Sequence, residues 1–130
     1  MRHAATTRVH LLYVGNEPLL SKASAEVLKR VGYKVRTTNP VHADHALRDD
    51  KFGVVILCAT LSGEEADRIV ESAMGAQPET PIISVHLGLL GDSPNPKSTV
   101  VVDALNGPDA LVNAVDTVAH GCRRMTSHAS

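Results

Sequence analysis

Six consecutive residues, Gly53-Val54-Val55-Ile56-Leu57-Cys58, are apolar throughout. A run this short and this uniform fits a parallel strand covered on both faces, because an antiparallel strand with one wet face would alternate. Four other short runs flank it: Val9 to Val14, the more polar Tyr33 to Thr37, Ile82 to His86, and Thr99 to Val102. Segments of helical period separate them. Strands alternating with helices predict a parallel sheet wrapped on both sides.

The helices are delimited by recognisable stops and starts. Pro18 opens the first, whose apolar residues Leu20, Ala23, Val27, Leu28 and Val31 are expected to face inward, and Gly32 caps its end. Asn39-Pro40 breaks the second strand, and Val41 to Asp50 is expected as a short helix with Val41, His45 or Ala46, and Leu47 inward. Ser62 is placed to cap a helix from Gly63 to about Met74, with Ala66, Ile69, Val70 and Ala73 as its stripe. Pro81 opens the fourth strand. Asn106-Gly107-Pro108 starts a last helix carrying Leu111, Ala114, Val115 and Val118 inward, with a weak homodimer face as its second use. Residues 1–7 read as a disordered tail, 8–120 as one domain and 121–130 as a frayed C-terminal tail.

Composition removes several functions. Acidic residues outnumber Lys plus Arg by 14 to 13, so there is no electrostatic footprint of a nucleic-acid binder. With two Tyr, one Phe and no Trp, the chain also lacks stacking platforms for single strands. No apolar run approaches the roughly 20 residues of a membrane span, and the basic N-terminus has no apolar signal core. Cys58 and Cys122 form neither a metal-ligand spacing nor a disulfide framework. The reading is a cytoplasmic domain of bacterial style, with no cofactor. The Gly15-Asn16-Glu17-Pro18 turn matches no phosphate-cradling motif, and His42 and His45, three apart, fall short of a metal site.

Chemistry on such a sheet belongs at the carboxyl ends of the strands. Those ends carry Gly15-Asn16-Glu17, Thr38-Asn39, Cys58-Ala59-Thr60, His86-Leu87 and Asp103-Ala104. Here the residues resemble a family. VHLLYVGNEPLL followed by an amphipathic helix and VGYKV, then FGVVILCATLSG, ETPIISV and PDALVNAV, are similar in order and spacing to a receiver domain of two-component response regulators. The resemblance implies a CheY-like, doubly wound five-stranded sheet of order 2-1-3-4-5 and a role in signalling.

It also implies a dismantled pocket. A receiver places an acidic pair for magnesium, an aspartate for the phosphoryl group, a hydroxyl residue and a lysine at its strand ends. These positions fall on Gly15 and Asn16, on Cys58, on His86, and on Asp103 or Ala104, while Glu17 is kept. The segment 87–98, with Pro94 and Pro96, implies that the helix after the fourth strand is shortened or replaced by a loop. Val100-Val101-Val102 lacks the family's aromatic switch residue. The expectation is a stand-alone, non-enzymatic receiver-like domain that is not phosphorylated and binds a protein partner. The alternative is a redox- or metal-responsive sensor in which Cys58 is activated by His86, with Asp103 as the group that would orient the imidazole.

Overall fold

The computed structural model describes residues 9–58, 60–77, 79–86, 100–103 and 108–129, with side chains except at His86, Val101, Asp103, Pro108 and 120–129. The strands are β1 (His10–Val14), β2 (Lys34–Thr38), β3 (Val54–Leu57), β4 (Ile82–His86) and β5 (Val100–Asp103). The helices are α1 (Pro18–Val31), α2 (Ala43–Asp49), α3 (Gly63–Ala76) and α4 (Pro108–Ala129). All strand pairs are parallel, and the sheet order is β2-β1-β3-β4-β5. The apolar run 53–58 therefore supplies the middle strand, as its double burial demands. The polar β2 lies at an edge, where Arg36 pairs with Asp50 at 3.1 Å.

Alternation along the strands divides the core into two layers. Leu11, Tyr13, Val54, Ile56, Cys58 and Ile83 meet Leu28 of α1 and Leu111, Val115 and Val118 of α4. Leu12, Val14, Val55, Leu57 and Ile82 meet Ala43, Ala46 and Leu47 of α2 and Ile69, Val70 and Ala73 of α3. The caps behave as their residue types require. Gly32 adopts φ 119°, a left-handed conformation open to glycine, and Tyr33 N–H returns to Leu28 O. Ser62 and Glu65 form a reciprocal capping box at the start of α3. Gln77 joins three segments at the other end of the molecule. Its Nε2 donates to Leu47 O and Asp50 O, and its Oε1 accepts from Phe52 N–H.

Three expectations are corrected. The buried stripe of α1 is Ser21, Ala25 and Leu28, while Leu20 and Val31 are each 42% exposed. Small residues at 21 and 25 let the helix lie close to the sheet, and that closeness sets its rotation. Val41 is 78% exposed and precedes α2, and His45 is exposed; Ala43, Ala46 and Leu47 carry the burial. Finally, α4 continues to Ala129, past the frayed end expected at 121. A single glycine inside a helix costs only about 1 kcal/mol, and no breaker follows Gly121. The expected tail at 1–7, the segment 87–98 and Ala104 lie outside the described residues.

Candidate functional site

The carboxyl ends of β1 and β3 meet one residue beyond the strands. Cys58 N–H donates to Val14 O at 2.9 Å, and Gly15 N–H donates to Thr38 O at 3.0 Å. These bonds prolong the ladder and set Gly15 beside Cys58. The contact is close: a β-carbon on Gly15 would stand 2.6 Å from Ser21 Oγ and 3.2 Å from Cys58 Cβ. Glycine at position 15 is therefore what allows α1 to seat its first turns against the strand ends.

Cys58 is 4% exposed and belongs to the core layer under α1 and α4. Thr60 Oγ1 donates to its sulfur at 3.3 Å. The Tyr13 phenol hydrogen-bonds with the Cys58 and Ser24 side chains. Its pKa is driven well above the ordinary value, first by burial and then by the bond to Cys58, with Ser24 acting in the opposite direction. Ser21 Oγ is buried without a hydrogen-bond partner among the described residues. The space under the strand ends is thus filled by a thiol, a phenol and two serines.

Above this layer, Asn16 closes the rim. Its Nδ2 donates to Thr60 O at 3.1 Å and to Glu65 Oε1 at 3.3 Å. Glu65 Oε1 simultaneously accepts from Ser62 N–H at 2.9 Å. A neutral amide therefore ties the loop after β1 to the start of α3. Glu17 occupies the N-cap of α1 with its side chain exposed and making no cap bond.

Magnesium, which a receiver would bind here, needs hard oxygen donors in near-octahedral geometry. Gly15 has no side chain, Asn16 spends its amide on Thr60 and Glu65, and Cys58 presents a soft, buried sulfur. Of Gly15, Asn16, Glu17 and Cys58, only Glu17 carries a carboxylate. The donor set does not fit the ion. Among the described residues no three His, Cys, Asp or Glu side chains converge as a ligand group.

The structure places the remaining candidates as follows. His86 is the last residue of β4 and pairs in register with Asp103, the last residue of β5. Both backbones reach the same end of the sheet as Cys58; their side chains lie outside those described. Leu57 pairs with Ser84, so the backbone of His86 lies two residues beyond the β3–β4 ladder. His42 and His45 are exposed around α2, and His10 packs its ring on Phe52 at 4.7 Å at the amino end of the sheet. Burial lowers the pKa of His10.

Sequence reasoning missed Tyr13, Ser21 and Ser24. Tyr13 was legible only as a strand residue. The two serines interrupt a helical stripe, and no local signal says that Ser24 meets the Tyr13 phenol or that Ser21 closes on Gly15.

A second buried phenol belongs to the same core layer, at the amino end of the sheet. Tyr33 donates to Asp116 Oδ1, joining the end of α1 to α4. Its pKa is also raised, by burial first and then by the Asp116 bond and charge. Both phenols stay protonated in the fold at pH values where the unfolded chain ionises near 10. Their contribution is full below pH 10 and is lost as pH rises toward the folded-state values. Thermal melts from pH 8 to 11 should show stability falling above pH 10, by about 1.4 kcal/mol per pH unit for each phenol. Tyr33→Phe should remove its share of the slope.

The sequence matches no family model and no curated protein. Solved structures do match. A CheY-like receiver domain protein from Methanospirillum hungatei aligns with TM-score 0.75 at 13% identity, over 90% of this chain and 98% of its own. The response regulator TrrA of Thermotoga maritima, in complex with Mg2+ and BeF, aligns with TM-score 0.72 at 19% identity, over 85% and 98%. A chain described as one of a novel family of streptococcal redox sensors evolved from two-component response regulators gives 0.74 at 14%, over 94% of this chain and 56% of its own. The chain has the fold of a CheY-like response-regulator receiver domain, over nearly the full length of such a domain. Among the described residues no helix is long and apolar enough to cross a membrane.

Proposed function

We propose that this protein is a pseudo-receiver: a non-enzymatic signalling domain that recognises a protein partner and is not switched by aspartyl phosphorylation. The observation that carries the reading is Cys58. It stands at the strand end where a receiver holds its phosphoacceptor, yet it is buried under α1 and bonded by Thr60. Phosphoryl transfer depends on neutralising charge with a metal and a cation. Here the acidic pair is replaced by Gly15 and an Asn16 engaged in the rim, and the residue ending β5 is Asp103. A carboxylate there would oppose a phosphoryl group.

Incubation with acetyl phosphate and magnesium, followed by intact mass, tests the reading. The expected result is an unchanged mass. A stable phosphate adduct at an acidic side chain would overturn it.

The redox reading has one point in its favour, the streptococcal redox sensors that share the fold. Reactive sensor thiols are accessible and held in electropositive surroundings. Cys58 is 4% exposed, among aliphatic side chains, a phenol and hydroxyls. The pseudo-receiver reading is therefore the conclusion.

A further inference from the structure

The rim at the ends of β1 and β3 is closed by hydrogen-bond donors. Asn16 Nδ2 lies 3.1 Å from Thr60 O and 3.3 Å from Glu65 Oε1. Both partners are acceptors, so the amide nitrogen faces them, and its two N–H donors are both spent. Glu65 is held from another side as well, accepting from Ser62 N–H at 2.9 Å within the capping box of α3. Thr60 is held too. Its Oγ1 donates to Cys58 Sγ at 3.3 Å, and Leu61 N–H donates to Cys58 O at 3.2 Å. A carbonyl oxygen and a carboxylate oxygen, both beyond β3, thus converge on one group carried by the β1–α1 loop. Oxygens gathered in this way repel one another unless positive charge lies between them.

Carbonyl and carboxylate oxygens are also what a hard divalent cation takes up. Here the partial positive charge of the amide hydrogens serves instead. We propose that the Asn16 amide stands in for the divalent cation of a receiver, tying the β1–α1 loop to the start of α3 in one permanent arrangement. The inference rests on the pseudo-receiver reading and deepens it. A rim held by a covalently attached donor does not loosen when an ion leaves, so the surface offered to a partner at these strand ends is independent of magnesium. Asn16 is a positioning residue. It acts through Thr60, whose hydroxyl bonds the Cys58 sulfur.

Two substitutions separate this role from simple packing. Asn16→Ala removes both donors and leaves the two oxygens to water. Asn16→Asp sets a third acceptor against Thr60 O and Glu65 Oε1, and that set of hard oxygens is relieved by a divalent cation. Calcium is the suitable probe, because its coordination tolerates irregular geometry and combines carboxylates with backbone carbonyls. Asn16 is exposed and stands just before α1, where acid suits the helix dipole. Both variants therefore keep the fold, which circular dichroism checks.

The test is alkylation of the full chain by iodoacetamide, read peptide by peptide in the mass spectrometer so that Cys58 and Cys122 are followed separately. The rate at the buried Cys58 reports local opening of the structure around it. In the wild-type chain it should be slow and the same in EDTA, magnesium or calcium. Asn16→Ala should react about fivefold faster, the factor for losing roughly one net hydrogen bond, with no response to either cation. Asn16→Asp should be at least as fast as Asn16→Ala in EDTA and should slow toward the wild-type rate as calcium is raised into the millimolar range. A wild-type rate that changes with either cation overturns the inference. So does Asn16→Ala reacting no faster than wild type, or Asn16→Asp ignoring calcium. The phosphate-adduct measurement decides the pseudo-receiver reading separately, so failure of one is distinguishable from failure of the other.

Discussion

Replacing Cys58 with aspartate, the residue type of a phosphorylatable receiver, should destabilise this protein by about 3 kcal/mol at neutral pH, on the order of 10 °C in Tm. The side chain is 4% exposed in the layer formed by Ile56, Ile83, Leu28 and Val115. A carboxylate there loses its hydration, and the groups facing it, Tyr13 and Thr60, are neutral. Burial raises the pKa of such a carboxyl, so the penalty is full above the raised value and shrinks as pH falls through it. The gap in Tm between Cys58→Asp and the wild-type chain should therefore narrow from pH 7 to pH 4. Cys58→Ser, which changes polarity without adding charge, should cost less than half as much and show no such narrowing. Nor should Cys58→Asp gain a phosphate adduct with acetyl phosphate and magnesium. The rim still holds Gly15 and Asn16, and a side chain restored at 15 meets Ser21 Oγ at 2.6 Å. An adduct on that variant would show that the pocket had lost only its acceptor.

The second large effect is in α1. Leu28→Ala should cost about 3 kcal/mol, in the middle of the range for deleting a fully buried leucine and leaving a cavity. Leu28 is 0% exposed and is the largest buried side chain by which α1 holds the sheet, since its companions are Ser21 and Ala25. Leu20→Ala, at 42% exposure on the same helix, should change stability by no more than about 0.5 kcal/mol. Urea or thermal melts of the two variants separate them. Equal losses would mean that both leucines face the sheet, as helical periodicity alone predicts.

That contrast shows how far the sequence can be read. Apolar residues recurring along 20–31 identify α1 and its ends, because Pro18 and Gly32 act locally. The same residues do not say how the helix is rotated about its axis. Rotation follows from close approach: Gly15 leaves room, Ser21 and Ala25 are small enough to enter it, and Leu28 fills what remains. The α3 stripe, by contrast, was legible, since Ile69, Val70 and Ala73 are the bulk of its apolar residues and face the sheet. The site divides in the same way. That Gly15, Asn16, Cys58, His86 and Asp103 end strands follows from where the apolar runs stop. That the Tyr13 phenol meets Cys58 and Ser24, and that Asn16 reaches Glu65 across 49 residues, depends on contacts distant in sequence.

By itself, the sequence determined five parallel strands, their alternation with helices, and that Gly15, Asn16 and Cys58 follow the ends of the strands. These are properties of hydrophobic period and residue type, each set within a few neighbouring residues. The tertiary structure decided what surrounds those ends, with α1 seated close against Gly15, Cys58 buried, and the Asn16 amide bonded to Thr60 and Glu65. It decided also that α1 leaves Leu19, Leu20 and Val31 exposed to solvent. Packing of one element against another chooses among rotations that the local pattern leaves equivalent, and the residues it turns inward or outward make the surface.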